Sequence, residues 1–246
     1  MNAPTINFAR RTALEDYFFS DHVRVDRSHV DPVDLQGFDS VNDATVVALT
    51  GALQDATVVL DYDGEALSFD ITGSIWQTMP ARVSYVRDSE DEAPYLNIDV
   101  VAFAKSAPEG LAATMLWRMV RACMSLGIPR IELFAIGGRD CADKAPGGGR
   151  IGGYYAWPRL GFDGAVLSAE HVEKADDLSL HKKLPFFPDG LARGTLRSLH
   201  DLFETPGGKE FWLIGGGERP LTFTVAPMSR SVLRLNRYLT EKGLFK

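Results

Sequence analysis

Two carboxylates and one glycine-centred loop are the residues of this chain best suited to chemistry. Asp99 and Glu132 each lie in a short, otherwise apolar strand, on the face opposite the aliphatic side chains. If they face a cleft, burial raises the carboxyl pKa and makes either one a general base; if they face solvent, they are ordinary surface charges. Between them, Gly110–Ala112 opens a helix whose first N–H groups can hold an anion.

These residues depend on a strand, a helix and a second strand for their position. The sequence alternates over Tyr95–Ala104, which predicts the first strand. A helix is predicted from Leu111 until Gly127 and Pro129 end it. Arg130–Ala135 is a second short apolar strand, so the unit is predicted to be a parallel crossover with its ligand mouth before the helix.

The segment before the crossover predicts a helix and an antiparallel meander. Thr12–Phe19 is helical in pattern, whereas the other residues up to 45 are acidic and read as loop. Thr57–Asp61 and Ala66–Thr72 flank Asp63-Gly64, which is a strong hairpin signal. Ala81–Arg87 alternates as a further strand. The N-terminal part therefore predicts three or four mainly antiparallel strands.

The segment after the crossover carries weaker patterns. Residues 137–153 are too rich in glycine for regular structure. We predict helices over Ala169–Leu180, over Thr195–Glu204 and from Ser229 or Ser231 to Lys242, and a strand pair formed by Phe211–Ile214 and Leu221–Val225.

The order of elements and two short motifs resemble the acyl-CoA-binding core of the GNAT N-acetyltransferase superfamily. The family's loop pattern, Gln/Arg-x-x-Gly-x-Gly/Ala, is matched at Gly110 and Ala112, with Ala107 in the place of Gln or Arg. Its Gly-Phe turn is matched at Leu160–Phe162, with Trp157 where many members have a tyrosine. The resemblance covers about 70 of the 246 residues.

The resemblance implies an α+β fold with a mixed, mainly antiparallel sheet flanked by helices. Residues 1–180 would form the GNAT-like domain and residues 181–246 a smaller C-terminal extension. It further implies a co-substrate, acetyl-CoA, and no metal. Its amides would pair with the strand end at Val101, Ala102 and Phe103, and its pyrophosphate would lie on the N–H groups of Gly110, Leu111 and Ala112, with Lys105 adding charge.

The implied activity is acetyl transfer from acetyl-CoA to a primary amine by direct attack in a ternary complex. Tyr155 takes the role of the acid beside Trp157, and Asp99 or Glu132 that of the base; His22 and His29 are further bases because imidazole titrates near neutrality. The acceptor is a small-molecule amine or, as in toxin-like relatives, a macromolecular one. Because Ala107 and Trp157 depart from the family pattern, a catalytically inactive GNAT-like binding or interaction protein is the alternative.

Charge and composition restrict the partners. The net charge is −7, with −12 in residues 1–104 and +5 in residues 105–246. The basic half suits a polyanion such as coenzyme A, and a nucleic acid would be favoured by the basic last helix with Arg230, Arg234 and Arg237. The asymmetry also fits an ordinary solvated surface. With no membrane-spanning run and no signal peptide pattern, we expect a cytoplasmic protein in which Cys123 and Cys141 stay reduced.

Overall fold

The chain is described by a computed structural model, which covers residues 6–35, 37–87, 89, 91–138, 152–166 and 195–246. These residues form an α+β fold with seven strands and seven α-helices, as the sequence predicts at the level of fold class. In chain order they are α1 Ala13–Phe18, β1 Arg24–Asp26, α2 Asp43–Thr50, β2 Thr57–Tyr62, β3 Ala66–Thr72, β4 Ala81–Val86, β5 Tyr95–Val100, α3 Leu111–Leu126, β6 Arg130–Ala135, α4 Gly153–Arg159, α5 Leu199–Glu204, α6 Gly208–Gly215, β7 Arg219–Thr224 and α7 Arg230–Glu241. No described helix is long and apolar enough to cross a membrane.

The strands follow one another across one open sheet in chain order, from β1 to β7. β1 is parallel to β2, and β2 to β5 form the predicted antiparallel meander. β5 and β6 are parallel, with Leu96–Ile98 opposite Ile131–Leu133, so the predicted parallel crossover through α3 is confirmed.

Strands β2 and β3 are joined by the turn that Asp63-Gly64 predicts. Gly64 has a φ of 97°, a conformation that only glycine adopts freely. The Oδ1 atom of Asp63 accepts hydrogen bonds from the N–H groups of Glu65 and Ala66 at 3.0 and 2.9 Å. The turn therefore fixes the register in which Val58, Leu60, Leu67 and Phe69 are buried.

Helix α3 is the central helix of the core. It begins after Gly110, with a φ of 89°, and ends at Gly127, with a φ of 69°, as the glycine positions predict. The middle of α3 is buried on both faces, including Trp117 and Cys123, and α3 packs against α1, α2 and α7. Arg118 is the one charged side chain on α3 that is buried.

The chain divides into two compact units. The first comprises the residues up to Leu133 together with those from Thr224 onward, and the second comprises Phe134–Phe223. The C-terminal helix α7 thus belongs to the first unit, with Val232, Leu235 and Leu239 fully buried. The boundary predicted at residue 180 lies outside the described residues, as do the helix predicted over 169–180 and most of the glycine-rich stretch.

Two regions differ from the sequence-based predictions. The acidic N-terminal region contains β1 and the start of α2, so it is not all loop. α2 is capped by Asn42 at its N-terminus and by Gly51, in a left-handed conformation, at its C-terminus. The strand predicted over Phe211–Ile214 is wrong, because these residues lie in α6. Adjacent Phe211 and Trp212 are both buried while Leu213 is half exposed, which fits a helix and not the alternation of a strand. β7 therefore pairs with β6.

Candidate cofactor-binding site

The first part of the candidate site is an open backbone edge that continues β5. β5 itself ends at Val100, earlier than predicted, but Val101–Ala104 stays paired on one side with the segment around Gln77. The N–H of Thr78 donates to Ala102 O at 3.0 Å, and the N–H of Ala104 donates to Trp76 O at 2.8 Å.

The opposite side of the same segment is unpaired. Because backbone groups alternate in direction along an extended strand, those of Val101 and Phe103 point away from Gln77. They have no hydrogen-bond partner among the described residues. Such an edge can accept an extended ligand that carries amides, in the way that a further strand would be accepted.

The second part is the N-terminus of α3, which follows a few residues later. Ala107 N–H donates to Ala104 O at 2.9 Å, and this turn brings the chain from the strand edge to the helix. Leu111 is buried and Ala112 is half buried, whereas Lys105 is exposed. A second cation lies here, since Lys242 Nζ is 2.6 Å from the exposed carboxylate of Glu109.

Gly110 has a structural reason to be glycine. A Cβ atom at this position would lie 2.6 Å from Cδ1 of Leu244, and its φ of 89° disfavours any other residue. Leu244 itself is held by a hydrogen bond from Ala13 N–H to its carbonyl, at 2.9 Å. The side of Gly110 that a Cβ would occupy is therefore covered by the C-terminal tail, and the remaining N–H groups of the first helical turn must carry any role in anion binding.

Asp99 lies on the solvent side of the sheet at an irregularity. In the β4–β5 pairing Arg82 is opposite Val100 and Val83 is opposite Ile98, so Asp99 is the additional residue of a bulge. Its carboxylate is exposed and accepts hydrogen bonds from Ser84 Oγ and Asn97 Nδ2, each at 2.5 Å.

Glu132 lies on the same face of the sheet as Asp99. In the parallel pairing it is opposite Asn97, which binds Asp99 directly, so the structure brings the two predicted bases onto neighbouring strands. Its carboxylate is 2.7 Å from Nε of Arg130, whose guanidinium lies over the Tyr95 ring at 4.4 Å. The carboxylates of Asp99 and Glu132 thus both have protein hydrogen-bond donors.

Tyr155 belongs to the second unit. Its ring is half buried, with the rings of Tyr154 and Phe203 at 6.4 and 6.0 Å and the Arg159 guanidinium at 5.5 Å. Trp157, at the position of the family's tyrosine, packs edge-on against Phe162 at 5.3 Å.

Pro158 lies inside a helix, although the residue before a proline, here Trp157, usually avoids the helical conformation. Both residues are part of α4. A proline removes the hydrogen bond to the carbonyl four residues earlier, which here is that of Tyr154. That carbonyl accepts instead from Nε1 of Trp212 at 2.9 Å, so the helix tolerates Pro158 because a tertiary donor replaces the missing one.

The histidines differ in their surroundings. His22 and His29, the predicted alternatives for a base, are exposed in the first unit. His200 in the second unit is buried, with Nδ1 3.4 Å from Asp163 and Nε2 2.9 Å from Gly161 O. Sequence reasoning missed this pair because the two residues are far apart in the chain and no motif joins them.

Cys123 predicts a pH dependence of stability. Burial raises the pKa of its thiol. The pKa of the thiol is therefore higher in the folded chain than in the unfolded chain, where it is about 8.5. The contribution of the buried, protonated thiol to the free energy of unfolding is fully present below pH 8 and decreases as the pH rises, because the thiol then ionises in the unfolded chain first. Between pH 8 and pH 10 we expect the wild type to lose about 2 kcal/mol more free energy of unfolding than Cys123→Ala, measured by urea denaturation. Parallel losses in both proteins would contradict this.

Among the described residues, no group of three or more His, Cys, Asp or Glu side chains is arranged to hold a metal ion. No protein-family model matches the sequence, and no curated protein matches it.

Proposed function

We propose that the chain is an acyl-CoA-dependent N-acyltransferase of the GNAT type, which transfers an acetyl group to a primary amine. The observation that carries the proposal is the unpaired strand edge at Val101–Phe103, followed directly by the N-terminus of α3. This order places acceptors and donors for amides before a group of N–H donors for phosphate, which is the order of chemical groups along acyl-coenzyme A.

The pantetheine arm would pair with the strand edge. The N–H and C=O groups of Phe103 and Val101 are spaced as in a strand and can exchange hydrogen bonds with successive amides of an extended ligand. Ala102 supports the edge from behind because its carbonyl is already bonded to Thr78. Backbone recognition of this kind needs no particular side chain, and so it leaves little trace in the sequence.

The pyrophosphate would lie against the first turn of α3. The N–H of Ala112 belongs to the positive end of a helix of 16 residues, whereas that of Leu111 already donates to Pro108 O at 3.2 Å. Lys105 and Lys242 add cationic side chains near this turn, which compensates for the Ala107 that replaces Gln or Arg of the family pattern. The residues that transfer the proton stay predictions: Asp99 or Glu132 as base and Tyr155 as acid.

Calorimetric titration with acetyl-CoA tests the proposal, with free CoA and a pantetheine thioester that lacks the nucleotide as controls. We expect a dissociation constant in the micromolar range, about −8 kcal/mol, that is lost when the nucleotide is absent. An absence of binding at high protein concentration would remove the basis for an acyl-CoA function.

Ala112 offers a variant that separates ligand binding from folding. In Ala112→Glu the carboxylate repels a pyrophosphate at the start of α3, so we expect the affinity for acetyl-CoA to fall at least tenfold relative to Ala112→Gln. The same charge favours the helix N-terminus by about 0.3–1 kcal/mol, so the stability should not fall. Calorimetry and urea denaturation measure the two effects. Equal affinities of the Glu and Gln variants would place the nucleotide elsewhere.

Binding without turnover is the second candidate function. It is favoured by the surroundings of the predicted bases, because Asp99 is bonded to Ser84 and Asn97 and Glu132 is paired with Arg130. These bonds occupy carboxylate oxygens that the amine of a substrate would have to reach. The two candidates are separated by release of free CoA from acetyl-CoA in the presence of a panel of primary amines, which only the transferase produces.

A further inference from the structure

A cavity lies within the first unit, on the helical side of the sheet. It has a volume of about 330 Å³ and lies between α1, α2 and α3. Ala44 and Ala48 of α2 and Ala122 of α3 line part of it, and their small side chains leave the space open. A volume of this size is at the lower end of the range for small-molecule sites.

The cavity contains a buried cation that is incompletely bonded. Only 5% of the Arg118 side chain is exposed, and its one hydrogen bond among the described residues joins a terminal nitrogen to Asp21 at 3.2 Å. Its buried Nε atom has no hydrogen-bond partner in the described structure. A buried donor without a partner is unfavourable, and a ligand that accepts from it removes this cost. Burial lowers the pKa of this guanidinium, which nevertheless remains charged at neutral pH.

The charged side chains that line the cavity include one more cation than anions. Glu15 is fully buried and forms ion pairs with Arg121 at 2.8 Å and Arg11 at 3.3 Å. Three arginines and two carboxylates, counting Asp21, line the cavity. The lining alone therefore has a formal charge of +1, but Asp16 next to it also pairs with Arg11 at 3.3 Å, so Arg118 itself, and not an excess of charge, would hold the carboxylate of a ligand.

Glu15 also specifies a second group on the ligand. Its Oε2 atom is buried and has ion-pair contacts but no hydrogen bond of good geometry among the described residues. A ligand with a hydroxyl or amino donor next to its carboxylate can satisfy this oxygen together with Arg118. A buried donor without a partner, beside a buried carboxylate oxygen that has ion-pair contacts only, fits a ligand with both an acceptor and a donor.

We propose that this cavity binds a small organic acid whose carboxylate pairs with Arg118 and whose hydroxyl or amino group donates to Glu15. The planar guanidinium matches a carboxylate with two parallel hydrogen bonds. The methyl groups of Ala44, Ala48 and Ala122 provide an apolar wall for a short aliphatic part. This site is independent of the acyl-CoA proposal, because α3 rises by roughly 1.5 Å per residue and Arg118 lies about 10 Å along it from the N-terminal turn.

Ligand-observed NMR titrations test the proposal with lactate and propionate, which differ by one hydroxyl group, against chloride at equal ionic strength. We expect lactate to bind with a millimolar or lower dissociation constant and at least threefold more tightly than propionate. Inorganic phosphate is the third probe. Tighter binding of phosphate than of lactate, or no binding of either organic acid, would overturn the proposal.

A filled cavity supplies the matched control. Ala48→Leu places three additional carbons in the space without changing any charge, and Ala156→Leu makes the same substitution on an exposed helical position of the second unit. We expect Ala48→Leu to weaken lactate binding at least tenfold and Ala156→Leu to leave it unchanged, with both proteins folded by circular dichroism. Unchanged lactate binding in Ala48→Leu would show that the ligand lies outside the cavity. No acyl-CoA is present, so the result does not depend on the transferase activity.

Discussion

Trp117→Ala is expected to lower the free energy of unfolding by about 3–5 kcal/mol. The indole is fully buried in α3, stacked on Phe8 at 5.4 Å and edge-on to Phe245 at 5.5 Å. It therefore joins the central helix to segments near both ends of the chain. Alanine would leave a cavity that these segments cannot fill without leaving their own positions on α3 and α1.

The loss of free energy of unfolding in Trp117→Ala has two parts, the packing of the ring and one hydrogen bond. Nε1 of Trp117 donates to Arg10 O at 2.9 Å. Trp117→Phe keeps most of the aromatic packing but leaves that carbonyl with only the longer bond from Arg121 Nη1, at 3.4 Å, so we expect a loss of about 1 kcal/mol. Urea denaturation of the three proteins gives the values. If the alanine variant were no less stable than the phenylalanine variant, the packing of both terminal segments on this ring would contribute nothing.

The predictable part of the fold is the part whose signals are local. Gly127 ends α3 because it adopts a left-handed conformation, and Asp63-Gly64 makes the β2–β3 turn because side-chain and backbone groups within four residues satisfy one another. The alternation in β5 likewise reflects burial of every second side chain on a sheet with one covered face. Such features need no knowledge of the distant chain.

The part that sequence reasoning missed depends on distant partners. Phe211–Ile214 has the composition of a strand, but the burial of adjacent Phe211 and Trp212 makes it a helix. Trp212 in turn supplies the donor that allows Pro158 to remain within α4. The local sequence around Pro158 does not indicate Trp212, and the reverse also holds, because 54 positions separate the two residues.

The candidate site likewise has parts that local sequence patterns predict and parts that depend on distant residues. The strand, loop and helix that provide Val101–Ala112 follow from periodicity and glycine positions. The bulge at Asp99 follows from the register of β4 against β5, which neither strand encodes alone. The sequence does not predict the cavity at Arg118, because its lining comes from three helices and the sequence patterns do not identify α2 as one of them.

Gly110→Ala is expected to lower the free energy of unfolding by about 3 kcal/mol, and Leu244→Ala is expected to reduce that loss. Two costs add in the single variant: about 1–2 kcal/mol for a side chain at a φ of 89°, and about 1–3 kcal/mol for the overlap of the new Cβ with Leu244. In the double variant the overlap is absent and only the backbone cost remains. The double-mutant cycle should therefore show a coupling of about 1–2 kcal/mol, measured by urea denaturation.

This coupling determines how the proposal that the first turn of α3 holds a nucleotide can be tested. If it is found, a loss of acetyl-CoA binding in Gly110→Ala reports displacement of Leu244 as much as loss of a phosphate contact, and only the charge pair at Ala112 isolates the ligand. If the two substitutions are instead additive, Leu244 does not restrain Gly110 in solution and the glycine is free to approach a phosphate. Measuring the affinity of Leu244→Ala completes the argument: removing the tail's side chain should leave binding unchanged or strengthen it, because it opens the covered side of the turn without changing any charge.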